Sequence, residues 1–309
     1  MNQARTTIGT VVSLWRYPVK SMLGEELNSS YVTERGLLGD RTYAVVDNKT
    51  GKVASAKNPR KWGKLFDFRS AFMDPLPSPL PQVVEHVRPP VRITFPDGTH
   101  ILSSNQTHVD YSLSKVFGRD VRLMKASLAE KPSYEEYWPD IDGLAQRDKV
   151  TDENMPSQTF FDIAVIHIMT TSTINRLREL YPEGRFEVRR FRPNIVIESS
   201  SSASAASREE EKKKENKKKN KKDFIEDLWV GKKIMIGSGE DNNNIVLKVT
   251  SRCTRCVMIT LPQGDLPNDL GILRTVARYN QMTAGVYASV HQGGIIRRGD
   301  PVQIEEEEE

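Results

Sequence analysis

The sequence predicts a mainly β fold of the α+β kind, made of closed or nearly closed β-barrels with a few short helices. Two observations predict it. Short runs rich in Val, Ile, Thr and Tyr recur along the chain, separated by Gly, Pro, Asn and Asp turn signals. Apolar residues at helical spacing occur in few places. Aromatics are 7% and hydrophobics 37% and no apolar run approaches the length that spans a bilayer, so a soluble protein is expected. A chain of 309 residues buries a sizeable core and makes one or two domains.

In chain order, residues 8–15 form a β-rich run that ends at Arg16-Tyr17-Pro18-Val19-Lys20-Ser21. Gly36 to Arg41 is a turn, 42–46 a strand, and Asp47-Asn48-Lys49-Thr50-Gly51 a hairpin turn. The proline-rich stretch 75–90 reads as a loop. Residues 91–95 and 100–103 flank an Asp97-Gly98 hairpin turn. Val109, Leu113, Val116 and Phe117 fall at helical spacing, and Gly118 stops that helix. Residues 125–157 are polar and irregular and read as a linker.

Residues 161–169 then read as a strand, and Ile174, Leu177, Leu180 and Tyr181 mark an amphipathic helix ended by Pro182 and Gly184. Strands are expected at 194–197, 228–230, 233–236, 245–250, 257–261 and 285–290. Residues 199–222 are serine-rich and then lysine-rich. They lack the apolar surface that offsets ordering entropy and are expected to form a disordered loop. Residues 305–309 are an acidic tail.

The net charge of +4 is uninformative about partners. Residues 208–222 hold nine basic and four acidic side chains, and the last five residues are all Glu. The concentrated charge is low-complexity rather than a basic face on a folded surface, which argues against nucleic-acid binding. The first eight residues carry no apolar signal core, and two cysteines suit a reducing compartment.

Those two cysteines are the most informative residues. Arg252-Cys253-Thr254-Arg255-Cys256 lies between two β-type runs. A disulfide is excluded, because residues three apart in a strand are roughly 10 Å apart and face opposite ways. A structural zinc needs four ligands, and a lone C-x-x-C with five scattered histidines does not supply them. A thioredoxin-like motif belongs at a helix start in a βαβ unit, not among β-branched residues. A small buried hydrophobe stays open for either cysteine. Otherwise one thiol is functional, with Arg252 and Arg255 expected to depress its pKa.

Five motifs occur in order: Tyr17-Pro18-Val19-Lys20-Ser21, Gly39-Asp40-Arg41, Phe191-Arg192-Pro193-Asn194-Ile195-Val196, Cys253-Thr254-Arg255-Cys256 and Gly299-Asp300-Pro301-Val302. Together they resemble a MOSC-domain protein with its N-terminal β-barrel domain. The likeness is to the amidoxime-reducing component group and to the C-terminal part of molybdenum cofactor sulfurases, and it runs from about residue 8 to 304, apart from the insertion at 199–222. It implies an N-terminal domain over 8–124, a linker over 125–157 and a MOSC domain over 158–304.

The resemblance implies molybdenum cofactor (Mo-molybdopterin) as the bound group. Cys256 matches the thiolate that ligates molybdenum. Thr254, Arg255, Arg192 and Asn194 match cofactor-holding positions, and Lys20, Ser21 and Arg41 match contacts to the pterin and its phosphate. Thr170 falls at a site that is serine in close relatives, and Tyr287 matches an aromatic near the cofactor. Arginine and lysine suit a phosphate, and a soft thiolate suits the metal. The implied activity is reduction of small N-hydroxylated compounds by oxygen-atom transfer. Electrons would come from an external donor, a cytochrome b5-type protein or a flavin reductase, since no cysteines are spare for an iron–sulfur cluster. The alternatives are a sulfur or cofactor carrier using a Cys256 persulfide, and a storage protein without turnover. A pyridoxal phosphate association exists at the family level only. The mitochondrial relatives' membrane anchor and the sulfurases' aminotransferase-like domain are expected to be absent. The expected location is cytoplasmic, with mitochondrial association left open.

Overall fold

A computed structural model describes residues 5–73, 89–141, 146–200, 224–237 and 244–305. The loop expected at 75–90, the disorder expected at 199–222 and the acidic tail fall almost wholly outside the described residues.

Among the described residues, seven strands close a barrel. Its order is Ile195–Ser199, Ile166–Thr170, Thr283–Gln292, Ile245–Thr254, Lys233–Ile236, Pro301–Glu305 and Arg5–Arg16, which returns to Ile195–Ser199. All ladders are antiparallel except Ile166–Thr170 with Ile195–Ser199. A parallel pair needs a crossover, and the helix Thr171–Leu180 supplies it. Alternate residues of every strand fill the interior, among them Leu14, Ile168, Ile197, Ile236, Leu247 and Val286.

The first strand closes the ring. Arg5–Arg16 pairs with Pro301–Glu305 through Thr10, with Ile195–Ser199 from Gly9 to Leu14, and with Glu25–Leu27 at its end. Two register shifts, after Thr7 and after Val11, let one strand bend enough to serve three partners. Gly9 sits where the seam is tightest, since a Cβ there would lie 2.2 Å from the Glu198 carbonyl oxygen.

The N-terminal unit packs Tyr43–Asp47 against Val121–Lys125, and a meander of Arg69–Phe72, Val91–Thr94 and His100–Leu102 beside the helix Gln106–Phe117. Its core includes Val45, Phe68, Ile93, Leu113 and Leu123. The segment after Arg16 joins this unit to the barrel through bridges Val19–Tyr43 and Leu23–Arg69.

Several expectations are corrected. The stretch 125–157 is no irregular linker: Ser133–Trp138 and Lys149–Asn154 form a hairpin, bridged to the N-terminal unit at Val53–Tyr134. Its strands are too polar for their alternation to show in the sequence. The hairpin turn expected at 47–51 is followed by a single bridge, Val46–Val53, because Tyr43–Asp47 finds its ladder at Val121–Lys125. The strand expected at 161–169 starts only at Ile166, leaving Phe161 and Asp162 in a loop.

The runs at 228–230 and 257–261 are not strands but fall in the 3-10 turns Ile225–Trp229 and Val257–Thr260 and the residue that caps each. For the second, buried Arg190 gathers the Ile259 and Leu261 carbonyls at 3.1 Å each, carbonyls that a ladder would otherwise use. The helix Leu270–Asn280 has no counterpart in the expected elements.

Candidate functional site

Three sequence-distant turns meet where the barrel joins the N-terminal unit. Asp40 is their hub. Its carboxylate accepts from the Tyr17 backbone N–H at 2.7 Å and from Asn194 Nδ2 at 2.8 Å, and it pairs with Arg41. Asn194 also donates to the Trp15 carbonyl at 3.2 Å and accepts from the His167 N–H at 3.1 Å. With both ends of its amide taken by protein, Asn194 is a brace between motifs.

Of seven non-glycine residues with positive φ among the described residues, three lie in the motifs of this region and two more, Gln281 and Met282, follow the helix Leu270–Asn280. Ser21 (+63°), Arg41 (+48°) and Arg192 (+56°) each occupy the left-handed region. Gln281 and Met282 lie against Arg252 and Arg255, with the Arg255 N–H donating to the Met282 carbonyl at 2.7 Å. Such strain persists only where surroundings over-determine it, and it concentrates at functional sites.

The charges here are buried but unevenly paired. Lys20 Nζ donates to the Phe160 carbonyl at 3.0 Å and pairs with Asp162. Lys57 Nζ reaches Tyr134 Oη and Glu136 Oε2 at 3.0 Å each and Asp162 at 3.4 Å. Burial would raise the Asp162 carboxyl, but Lys20 and Lys57 reverse it and hold it well below the usual carboxylate range. Burial lowers Lys20 despite Asp162, with the Lys57 and Arg41 charges adding to the effect.

Arg192 differs from the other cations. It is 7% exposed, and among the described residues its guanidinium makes one hydrogen bond, Nη1 to the Met22 carbonyl at 2.7 Å, and no ion pair. Burial pulls its pKa down to about 10. Asp40 and Asp162 favour the charge only from a distance, and a buried cation with no carboxylate in contact is costly, which makes this position receptive to an anion.

The two cysteines are both free and stand in opposite environments. Cys253 is fully buried at the end of Ile245–Thr254. Arg255 Nη1 donates to its sulfur at 2.8 Å, and Nη2 donates to the Phe191 carbonyl at 2.8 Å. Burial pushes the Cys253 thiol up, but Arg255 and His167 overcome it and bring it down to about 6. Cys256 opens the turn Val257–Thr260, half-buried, and burial pushes its thiol up to about 11.

Of the two arginines expected to depress Cys256, Arg255 does act in that direction, but burial outweighs it. Arg252 instead pairs with Asp227 at 2.9 Å and Asn280 at 2.7 Å, and Arg255 turns to Cys253. The cation that most favours a Cys256 thiolate is Lys57. Phe66 links the thiol to the arginines: it shares a packed cluster with Cys256, and its ring lies 5.5 Å from the Arg192 guanidinium.

The structure therefore brings together Lys20, Ser21, Arg41, Arg192, Asn194, Arg255 and Cys256. Ser21 Oγ accepts from the Ala56 N–H at 3.1 Å, next to Lys57. Thr254 lies exposed at the strand end opposite Thr283. Tyr287 is half-buried, its ring 5.8 Å from that of His167. Thr170 lies apart: it caps the helix Thr171–Leu180 and donates to buried Glu226 at 2.7 Å. Sequence reasoning assigned no role to Tyr17, Asp40, Lys57, Glu136 or Asp162. The first two lie inside quoted motifs, which was a usable signal. Asp162 stands in the run read as a strand, and Lys57 and Glu136 stand in segments with no pattern.

The MOSC domain model matches residues 157–303, and the MOSC N-terminal beta barrel domain model matches residues 8–65. Mitochondrial amidoxime reducing component 2 of Bos taurus is 24% identical over 324 residues, covering 96% of this chain and 83% of its own. Its Homo sapiens counterpart is 24% identical with the same coverage. The solved YUAD protein of Bacillus subtilis superposes over 99% of this chain at 11% identity and a TM-score of 0.45. The chain belongs to the MOSC-domain proteins, with a MOSC N-terminal beta barrel domain ahead of its MOSC domain.

Proposed function

We propose that this chain binds molybdenum cofactor at the junction of its two units and reduces N-hydroxylated compounds there. The observation that carries the reading is Arg192: a buried guanidinium with no carboxylate partner, joined through Phe66 to the cluster that holds a half-buried free thiol. The residues fit such a group. Among the described residues no three His, Cys, Asp or Glu side chains gather to cage a metal. One soft thiolate amid cations suits a metal that arrives with its own anionic organic ligand. The relatives named amidoxime reducing components support the same reading.

In this reading Cys256 ligates the metal, while Arg192 and Arg41 hold the cofactor's anionic groups. Bound there, the cofactor supplies a metal that exchanges two electrons and accepts one oxygen atom. Lys57 offsets the Cys256 thiolate. Lys20 and Asp162 neutralise each other and keep the 159–165 loop against the barrel mouth. Reduction of an amidoxime consumes two electrons and two protons and releases the amidine and water. The electrons come from an external donor, because a chain with two cysteines holds no four-cysteine cluster. The relatives are named mitochondrial, and on that ground we extend mitochondrial association to this chain.

Two alternatives fit less well. A persulfide carrier has to present its sulfur to a partner protein, and Cys256 is half-buried against the Phe66 cluster. A pyridoxal phosphate aldimine needs a free amine, whereas Lys20 and Lys57 are both paired with Asp162. Metal analysis of purified protein, followed by reduction of benzamidoxime with an artificial electron donor, tests the proposal. Molybdenum near one per chain with amidine formation is expected. Protein that takes up no molybdenum when expressed with a cofactor supply overturns it.

A further inference from the structure

We infer that Tyr17 is a positioning residue that fixes Arg41 and Arg192 by their faces and so leaves their N–H groups free for the cofactor's anion. The inference rests on the reading above. Tyr17 is 2% exposed, and two guanidinium groups lie over its ring, Arg41 at 4.5 Å and Arg192 at 4.1 Å from the centroid. Each is within reach of a cation–π contact. Two like charges beside one buried ring repel each other, and the ring's negative face offsets part of that cost.

The consequence lies in which donors remain. A lysine held by a carboxylate has its N–H groups committed, as Lys20 shows with Asp162 and the Phe160 carbonyl. A guanidinium held by its face keeps its in-plane donors available. Among the described residues the Arg192 guanidinium accordingly makes one hydrogen bond, and the Arg41 guanidinium makes only its pairing with Asp40.

Tyr17 is itself tied to both partners. Its hydroxyl donates to the Pro193 carbonyl at 3.2 Å, directly after Arg192. Its N–H donates to Asp40, which pairs with Arg41. An ordinary core aromatic explains the burial but not two guanidinium groups over one ring, each of them also near a phenylalanine, Arg41 near Phe161 and Arg192 near Phe66.

The test compares Tyr17→Leu and Tyr17→Phe with Arg192→Gln and with Leu247→Ala, a buried truncation within the barrel. Two quantities are read in the full-length protein: molybdenum retained after gel filtration, and the affinity of cofactor-free protein for inorganic phosphate by calorimetry. Tyr17→Leu is expected to weaken phosphate binding about tenfold and to lose most of its molybdenum. Tyr17→Phe keeps the ring and is expected to retain both. Leu247→Ala is expected to lower thermal stability while retaining both, which separates positioning from general destabilisation.

A folded Tyr17→Leu that matches wild type, while Arg192→Gln loses molybdenum, overturns the role of Tyr17 alone. Unchanged molybdenum in Arg192→Gln overturns the cofactor reading itself. If Tyr17→Leu does not fold, the Phe variant decides: retained phosphate affinity supports the face-on role, and its loss in folded protein refutes it.

Discussion

The residue scale separates two cysteines that the sequence presents as a pair. Cys256 stands at the start of the 3-10 turn Val257–Thr260, half-buried, with Lys57 the cation that most favours its thiolate. Cys256→Ala is expected to abolish bound molybdenum in otherwise folded protein, read by elemental analysis. Cys253 acts as the counter-charge of Arg255. Cys253→Ala would strand a buried guanidinium with one carbonyl partner and an orphaned Nε, at a cost of about 3 kcal/mol, with partial rescue in Cys253→Ser. Thermal unfolding of the two variants checks this.

Glu226 gives a pH prediction. Burial raises its pKa from 4.5 to about 7, against the Thr170 and Thr173 hydroxyls that donate to it. Because the folded pKa exceeds the unfolded one, the stability it confers is complete below pH 4.5 and lost as pH rises through about 7. The loss is about 3 kcal/mol. Glu226→Gln should flatten the stability profile over that window, measured by denaturant titration at several pH values. An unchanged profile would mean that Glu226 is solvated.

At the scale of elements, some signals were legible because they are local. The Asp97-Gly98 turn and the helix stop at Gly118 are where they were expected, and both glycines have positive φ. The helix Leu270–Asn280 escaped notice because no glycine ends it: Gln281 takes the left-handed cap position instead. The 3-10 turn at Val257–Thr260 was unreadable because its cause, Arg190, comes from another helix. Barrel closure offers a test at this scale. Gly9→Ala would drive a methyl group into the Glu198 carbonyl across the seam. It should cost about 2 kcal/mol or more and speed amide exchange in Ile195–Ser199, read by hydrogen exchange.

At the scale of the whole molecule, the site belongs to neither unit alone. Lys20, Ser21 and Arg41 come from the connection between units, Arg192 and Cys256 from the barrel, and Lys57 from the N-terminal unit. A ligand held at that junction binds the native state only and should raise the stability of both units together. At a hundredfold excess over Kd the gain is about 2.7 kcal/mol. Molybdenum-loaded protein should therefore melt higher than cofactor-free protein in a single transition. The double variant Lys20→Ala/Arg192→Ala should erase the difference, and two separate transitions would show units that do not couple.

What the sequence alone determined was the β character, the barrel strands with strong apolar periodicity, and the motifs that carry the family resemblance. These are properties of short stretches, set by side-chain alternation and by glycine and proline at turns. Only the tertiary structure decided which cation faces which sulfur, that Asn194 is a brace, that Thr170 serves Glu226, and that Tyr17 lies under two arginines. Those outcomes depend on burial and on partners far away in the chain. Electrostatics and hydrogen bonding act through space, over distances that residue spacing in a sequence does not encode.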